Sequence, residues 1–260
     1  MLSRTSLATA LIALPALAAP ALASPDAPTG AARATSATAA RLPAAVVERR
    51  VIGRSVRGRN LYAWRVGSPG NDDKAVIMST MHGDERHTRQ ILHALKEGAE
   101  VRGIDMWLIP TYNPDGYARN TRKNARGVDL NRNFPYRWAD LDGRYESGRR
   151  AASEPETRAV MRFLRDIKPR WVVSFHQPLH GVDTDTKNVR FARRLADQLN
   201  LPRKSFTCGG VCHGTMTMWF NRSFAGSAVT VEYGVSPTRY RMRTQAPRQL
   251  LRALYARRIS

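Results

Sequence analysis

The chain has 260 residues, 42 of them basic and 21 acidic, for a formal charge of +21. That length supports one good-sized core, nothing repeats at a fixed period, and one catalytic domain behind an N-terminal extension is the expectation. The charge favours anionic surroundings, yet the basic residues are mostly dispersed arginines and no recognised nucleic-acid module is present, so nucleic acid is not expected as a specific partner and anionic cell-wall polymers are.

Residues 1–23 combine Arg4, an apolar run from Leu7 to Leu22 broken by Pro15 and Pro20, and a small-x-small end at Ala21-Leu22-Ala23. This pattern is that of a signal peptide cut after Ala23, which implies export to a periplasmic, cell-wall or secreted location. Residues 24–45 are rich in Ala, Pro, Ser and Thr and read as a flexible leader, because such a composition buries too little apolar surface to offset the entropy of ordering. Residues 46–260 are expected to form the catalytic domain, with no transmembrane segment in the mature chain and a monomeric state.

Apolar runs at Ala75–Thr80, Asp105–Pro110, Trp171–His176 and Ala228–Tyr233 suggest buried strands. Helical periodicity covers Glu85–Glu97, Glu154–Ile167, Lys187–Leu199 and Gln245–Arg257, and Ser153 is the expected cap ahead of Pro155. Alternating strands and helices imply an α/β sandwich whose ligands gather at the carboxyl ends of parallel strands.

The polar residues that punctuate these runs fall at those ends. His82 and Glu85 form a His-x-x-Glu pair after the first run, and an imidazole with a carboxylate makes a good zinc donor set. By itself the spacing also suits a capped helix with a solvated Glu. His176 closes the third run, where a third ligand belongs, and Glu232 lies near the end of the fourth. Between them Asn113-Pro114-Asp115-Gly116, Thr121-Arg122-Lys123-Asn124 and Gly127-Val128-Asp129-Leu130-Asn131-Arg132-Asn133-Phe134-Pro135 make a turn and a donor-rich loop; arginine grips carboxylates through a planar fork. Cys208 and Cys212 suit a small-loop disulfide in an oxidising compartment.

Taken in order, from Ile52-Gly53-Arg54 through His82-x-x-Glu85, Asn113-Pro114-Asp115-Gly116, Asn131-Arg132-Asn133 and His176 to Val231-Glu232, these motifs resemble the zinc carboxypeptidase family. The resemblance implies an α/β three-layer sandwich with a mixed, mostly parallel central sheet flanked by helices. It implies one Zn2+ per chain held by His82, Glu85 and His176, Glu232 as general base, Arg122 on the scissile carbonyl, and Asn131 with Arg132 on a terminal carboxylate.

Digestive members of that family carry a tyrosine on a mobile loop between the third ligand and the base. This chain has none between His176 and Glu232, and His213 stands as a candidate substrate contact in its place. The chain looks most like the murein peptide amidase branch, which cuts between γ-D-glutamate and diaminopimelate; ordinary α-linked peptides are the alternative substrate. A rival of another class is an inactive cationic wall-binding protein with the same fold, but such proteins lack a ligand or the base, and His82, Glu85, His176 and Glu232 are all present.

Overall fold

The computed structural model describes residues 42–210 and 212–259, so the expected signal peptide and nearly all of the leader lie outside the described residues. The four apolar runs become strands, β3 (Lys74–Ser79), β5 (Asp105–Ile109), β6 (Trp171–His176) and β9 (Ser227–Glu232). They lie side by side and parallel in the order β5-β3-β6-β9. Strands covered on both faces are apolar at most positions, which is why these runs are near-continuous rather than alternating.

On one flank β2 (Asn60–Gly67) pairs antiparallel with β5, and β1 (Val46–Arg54) pairs antiparallel with β2 at the edge. On the other, β7 (Gly181–Asp183) pairs antiparallel with β9, and β8 (Arg203–Lys204) pairs parallel with β7, completing an eight-stranded mixed sheet. Two short strands, β4 (Val101–Arg102) and β10 (Arg257–Arg258), pair separately.

Strand alternation distributes the core between the two faces. Ala75, Ile77, Val173, Phe175, Val229 and Val231 pack against α1 (Arg89–Glu97), α4 (Val189–Leu199) and α6 (Ala246–Ala253). Their neighbours Val76, Met78, Val172 and Ala228 face α3 (Pro155–Ile167) and α5 (Met216–Ser223), where Val160, Leu164, Met216 and Phe220 are fully buried. Each of the Val, Leu, Ile, Met and Phe side chains contributes about 1.5–3 kcal/mol by leaving water. By the same alternation Ser174, His176, Thr230 and Glu232 look toward the α3 and α5 side, and that parity aims the functional groups. Among the described residues no helix is long and apolar enough to cross a membrane.

Several local expectations are corrected. His82 and Glu85 do not ride on a helix: α1 starts only at Arg89, and the pair sits on a preceding turn closed by the Glu85 N–H donating to the His82 carbonyl at 3.2 Å. Ser153 is not the cap of α3; Glu154 holds that position, and the Ser153 hydroxyl instead bonds the Glu154 carboxylate at 2.8 Å. Helix α4 is shorter than its periodicity, because Asn188 caps it by accepting the Phe191 N–H at 3.0 Å. A π-helical turn over Arg241–Gln245 precedes α6, which covers only part of the expected Gln245–Arg257.

Candidate functional site

The turn bearing His82 leaves the end of β3, where Thr80 adopts a left-handed φ of 52° and Met81 is buried. Its shape depends on close approach to a second turn. A Cβ built on Gly83 would lie 2.0 Å from the Gly116 carbonyl carbon, so only glycine permits the backbones to meet there. The second turn opens α2 (Pro114–Arg119), which Asn113 caps by accepting the Gly116 N–H at 2.9 Å. Asn113 also donates to the carbonyls of Met81 and Arg122, and buried Asp115 binds Arg59 Nη1 at 2.6 Å. The Asn113-Pro114-Asp115-Gly116 segment thus supports the loops carrying His82 and Arg122 and does not itself enter the cavity.

His82, Glu85 and His176 come together, each buried, with one potential ligand atom from each within 4.8 Å of the others. His82 Nδ1 lies 2.6 Å from Glu85 Oε1, and His176 Nδ1 lies 2.9 Å from Glu85 Oε2. The outer ring nitrogens are held too, His82 Nε2 by Asp129 Oδ1 at 3.1 Å and His176 Nε2 by Ser174 Oγ at 2.9 Å. Two imidazoles and a carboxylate, each imidazole oriented by a second partner, fit a catalytic zinc, which takes three protein ligands and leaves a position open.

The electrostatics agree. Burial would push His82 down, yet the Glu85 and Asp129 carboxylates raise it to about 9. Burial would raise Glu85, but the facing imidazoles bring it down to about 2. Buried Asp129 is likewise held well below the ordinary carboxylate range, chiefly by His82 and then Arg122 and Arg132, against its own desolvation. The Glu85 and Asp129 carboxylates thus stay ionised and favour positive charge at the two histidines.

These groups open onto a cavity of about 570 Å3 lined by His82, Glu85, His176, Glu232, Arg122, Asn131 and Arg132 among others. Glu232 is paired in register with His176 across β6 and β9. Burial, opposed by His176 and reinforced by Glu85, pushes its carboxyl up, and Oε2 accepts the Leu179 N–H at 3.2 Å. Arg122 grips Asp129 Oδ2 through Nε and Nη2 at 3.0 and 2.7 Å, and its Nη1 lies 3.9 Å from Glu85. The Arg132 Nε is buried with no hydrogen-bond partner among the described residues, an unmet donor on a guanidinium lining the cavity.

The Asn131-Arg132-Asn133 motif divides its work. Asn131 Oδ1 accepts the Met216 N–H at 3.0 Å at the start of α5, and Asn133 is buried scaffolding that binds the Ser147 carbonyl and Ser153 Oγ at 2.7 and 2.9 Å. His213 does line the cavity, its Nδ1 donating to the Arg137 carbonyl at 3.1 Å. Cys208 and Cys212 are disulfide-bonded in the loop beside it.

Tyr145, Arg137 and Arg144 also line the cavity and were not singled out from the sequence. The Tyr145 ring lies 4.8 Å from the Arg132 guanidinium and 5.6 Å from that of Arg122. Its loop is tied to the motif by the Asp129 N–H donating to the Glu146 carbonyl at 2.8 Å. Tyr145 follows a turn of no distinctive composition, and only the fold brings it to the arginines.

Comparison with known proteins gives a consistent result. The model of a family described as zinc carboxypeptidase matches residues 33–180. The murein peptide amidase A of Escherichia coli K12 is 33% identical over 153 residues, which is 54% of this chain and 63% of that protein. That of Vibrio campbellii is 32% identical over 146 residues, 51% of this chain and 58% of the relative. The crystal structure of the murein-tripeptide amidase from Escherichia coli O157 superposes with a TM-score of 0.65 at 27% identity, covering 79% of this chain and 91% of that one. Carboxypeptidase A from Helicoverpa armigera shares the fold at a TM-score of 0.67 and 18% identity, covering 81% of this chain and 68% of that one.

Proposed function

Because the chain belongs to the zinc carboxypeptidase family, we propose that it is an exported zinc metallocarboxypeptidase of cell-wall peptides, cleaving between γ-D-glutamate and a C-terminal diaminopimelate. The carrying observation is the convergence of His82, Glu85 and His176 in one cavity with Glu232 and the unmet Arg132 donor. The murein substrate is supported by the names of the similar amidases, and export by the composition of residues 1–23. The excess of basic residues suits an anionic wall.

His82, Glu85 and His176 hold the metal, which when bound supplies Lewis-acid polarisation at that point of the cavity and acidifies water there. Glu232 takes the proton from the attacking water on its carboxylate and returns it to the leaving nitrogen. Burial has raised its proton affinity, which brings a carboxylate closer to the balance that a general base and acid needs near neutral pH. Arg122 is locked by Asp129 and donates toward the scissile carbonyl oxygen, where negative charge develops. Arg132 and Asn131 receive the free carboxylate of the last residue, and the unpartnered Nε of Arg132 supplies a donor for it. Diaminopimelate leaves with such a carboxylate, so the same clamp serves a γ-linked and an α-linked bond.

The test is hydrolysis of L-Ala-γ-D-Glu-diaminopimelate beside an α-linked dipeptide ending in the same residue. Faster release from the γ-linked peptide supports the wall substrate. Release only from the α-linked one leaves the metallocarboxypeptidase and removes the murein assignment.

A further inference from the structure

The turn that carries His82 and Glu85 has an outer side. Glu85 is buried, whereas Arg86 after it is exposed, and a recess of about 410 Å3 opens there. Its lining includes Arg86, Arg89, Arg243, His87, Gln90 and Tyr117, and it shares no lining residue with the catalytic cavity. Gln177 stands between the two, accepting the His87 N–H at 3.1 Å while itself lining the cavity.

Two arginines of the recess lie over one ring. The guanidinium carbons of Arg86 and Arg89 are 4.0 and 4.8 Å from the Tyr117 centroid. Arg86 Nη1 donates to the Tyr117 carbonyl at 2.7 Å; Arg89 Nε donates to Thr111 Oγ1 at 2.7 Å and its Nη1 to the Tyr117 hydroxyl at 3.4 Å. These bonds fix both groups without answering their charge. Neither arginine makes an ion pair among the described residues, no carboxylate among them lines the recess, and Arg243 is already paired with Glu97 at 2.8 Å. A brace between loops accounts for the ring contacts. It leaves two like charges held together with nothing to offset their repulsion.

The unused donors indicate what offsets it. Nε and Nη2 of Arg86 and Nη2 of Arg89 make no hydrogen bond among the described residues. Two guanidinium groups with free N–H suit a group of two negative charges and three oxygens, whereas a single fork already saturates a carboxylate. A phosphate monoester is such a group. The recess is larger than a phosphate, and beside the arginines His87 Nε2 and the Gln90 amide are without partners among the described residues, open to hydroxyls.

We propose that this recess is a second binding site, which takes the phosphate monoester of a phosphorylated sugar. Arg86 and Arg89 hold the phosphate, and His87 and Gln90 meet the sugar hydroxyls. A glycan bearing such a group retains the enzyme at an anionic surface while leaving the catalytic cavity free. The site binds its ligand whether or not the cavity performs the proposed hydrolysis.

The experiment is calorimetric titration of the zinc-loaded chain with glucose 6-phosphate, inorganic phosphate, glucuronate and glucose. Glucose 6-phosphate is expected to bind at least about 10-fold more tightly than each of the others, the range of one charge-assisted hydrogen bond. Arg86→Gln combined with Arg89→Gln lowers that affinity about 100-fold, and the corresponding pair of lysine substitutions, which keeps the charges without the forks, retains part of it. Arg86→Gln alone, at an exposed side chain, gives the same reading at about 10-fold if the double variant loses its fold.

Two further variants separate this site from net charge and from the catalytic cavity. Arg190→Gln combined with Arg193→Gln removes the same charge from exposed positions of α4, and Arg132→Ala removes an anion donor from the cavity; both are expected to leave the binding unchanged. An equal loss in the α4 variant, or a loss in Arg132→Ala that the Arg86 and Arg89 substitutions do not produce, would overturn the proposal. Glucuronate or inorganic phosphate binding as tightly as glucose 6-phosphate overturns it as well.

Discussion

The two walls of the cavity are held by different means. The basic wall is interlocked through side chains: Glu85 binds both histidines, Asp129 binds His82 and Arg122 and accepts the Asn131 N–H at 2.9 Å, and Tyr145 lies against Arg132. The opposite wall is set by backbone register. Asp183 stands on a three-residue strand, and Asn221 is anchored by accepting the Ala228 N–H and donating to the Ala228 carbonyl, at 2.7 and 3.0 Å. Chemistry that tolerates little displacement occupies the first wall, where each group fixes the next. The candidate metal ligands His82, Glu85 and His176 all belong to the first wall, so a residue of the second can be exchanged without disturbing them.

If that division is right, perturbations of the basic wall have the larger consequences. Glu232→Gln, or removal of zinc by a chelator, is expected to lower kcat/KM at least about 10³-fold, measured by release of the C-terminal amino acid. Arg122→Ala is expected to cost about 10²- to 10³-fold, mainly in kcat, because its target charge exists only as the reaction proceeds. Arg132→Ala instead is expected to raise KM about 10- to 100-fold, since the carboxylate it binds is present throughout. An equal effect of both arginines on KM would blur the distinction between them.

Asp129→Asn is expected to weaken zinc binding about 10- to 100-fold in competition with a fluorescent chelator, because it loosens the orientation of His82. The smallest effect concerns the scaffold alone. Gly83→Ala forces the His82 turn off the Gly116 backbone and is expected to cost about 1–3 kcal/mol of stability, read as a lowered urea midpoint.

The same contrast explains what the sequence could show. The parallel centre was legible because strands buried on both faces write near-continuous apolar runs, as in Trp171–His176, whose limits coincide with β6. Strands β1 and β2 were not, since Val46–Arg54 alternates exposed and half-buried positions and carries three arginines. Strand β7 is three residues long, too short for any period, so neither Asp183 nor its direction could be inferred. His82, Glu85, His176 and Glu232 were recognisable from motif order, and the fold gathers all four around one cavity. The turn under His82 was not distinguishable from a helix start because an i, i+3 spacing fits both, and the Gly83–Gly116 approach that selects the turn is a long-range contact. Tyr145 reaches the arginines only through the pairing of Asp129 with Glu146, which no local pattern announces.

The most direct measurement of the central claim is hydrolysis of L-Ala-γ-D-Glu-diaminopimelate by the zinc-loaded chain, alongside a chelator-treated sample and the Glu232→Gln variant. The expected result is release of diaminopimelate that disappears with the chelator, returns on adding zinc, and is absent in the variant. Release that persists without metal, or in Glu232→Gln at an unchanged rate, would contradict the assignment of His82, Glu85, His176 and Glu232 as the catalytic centre.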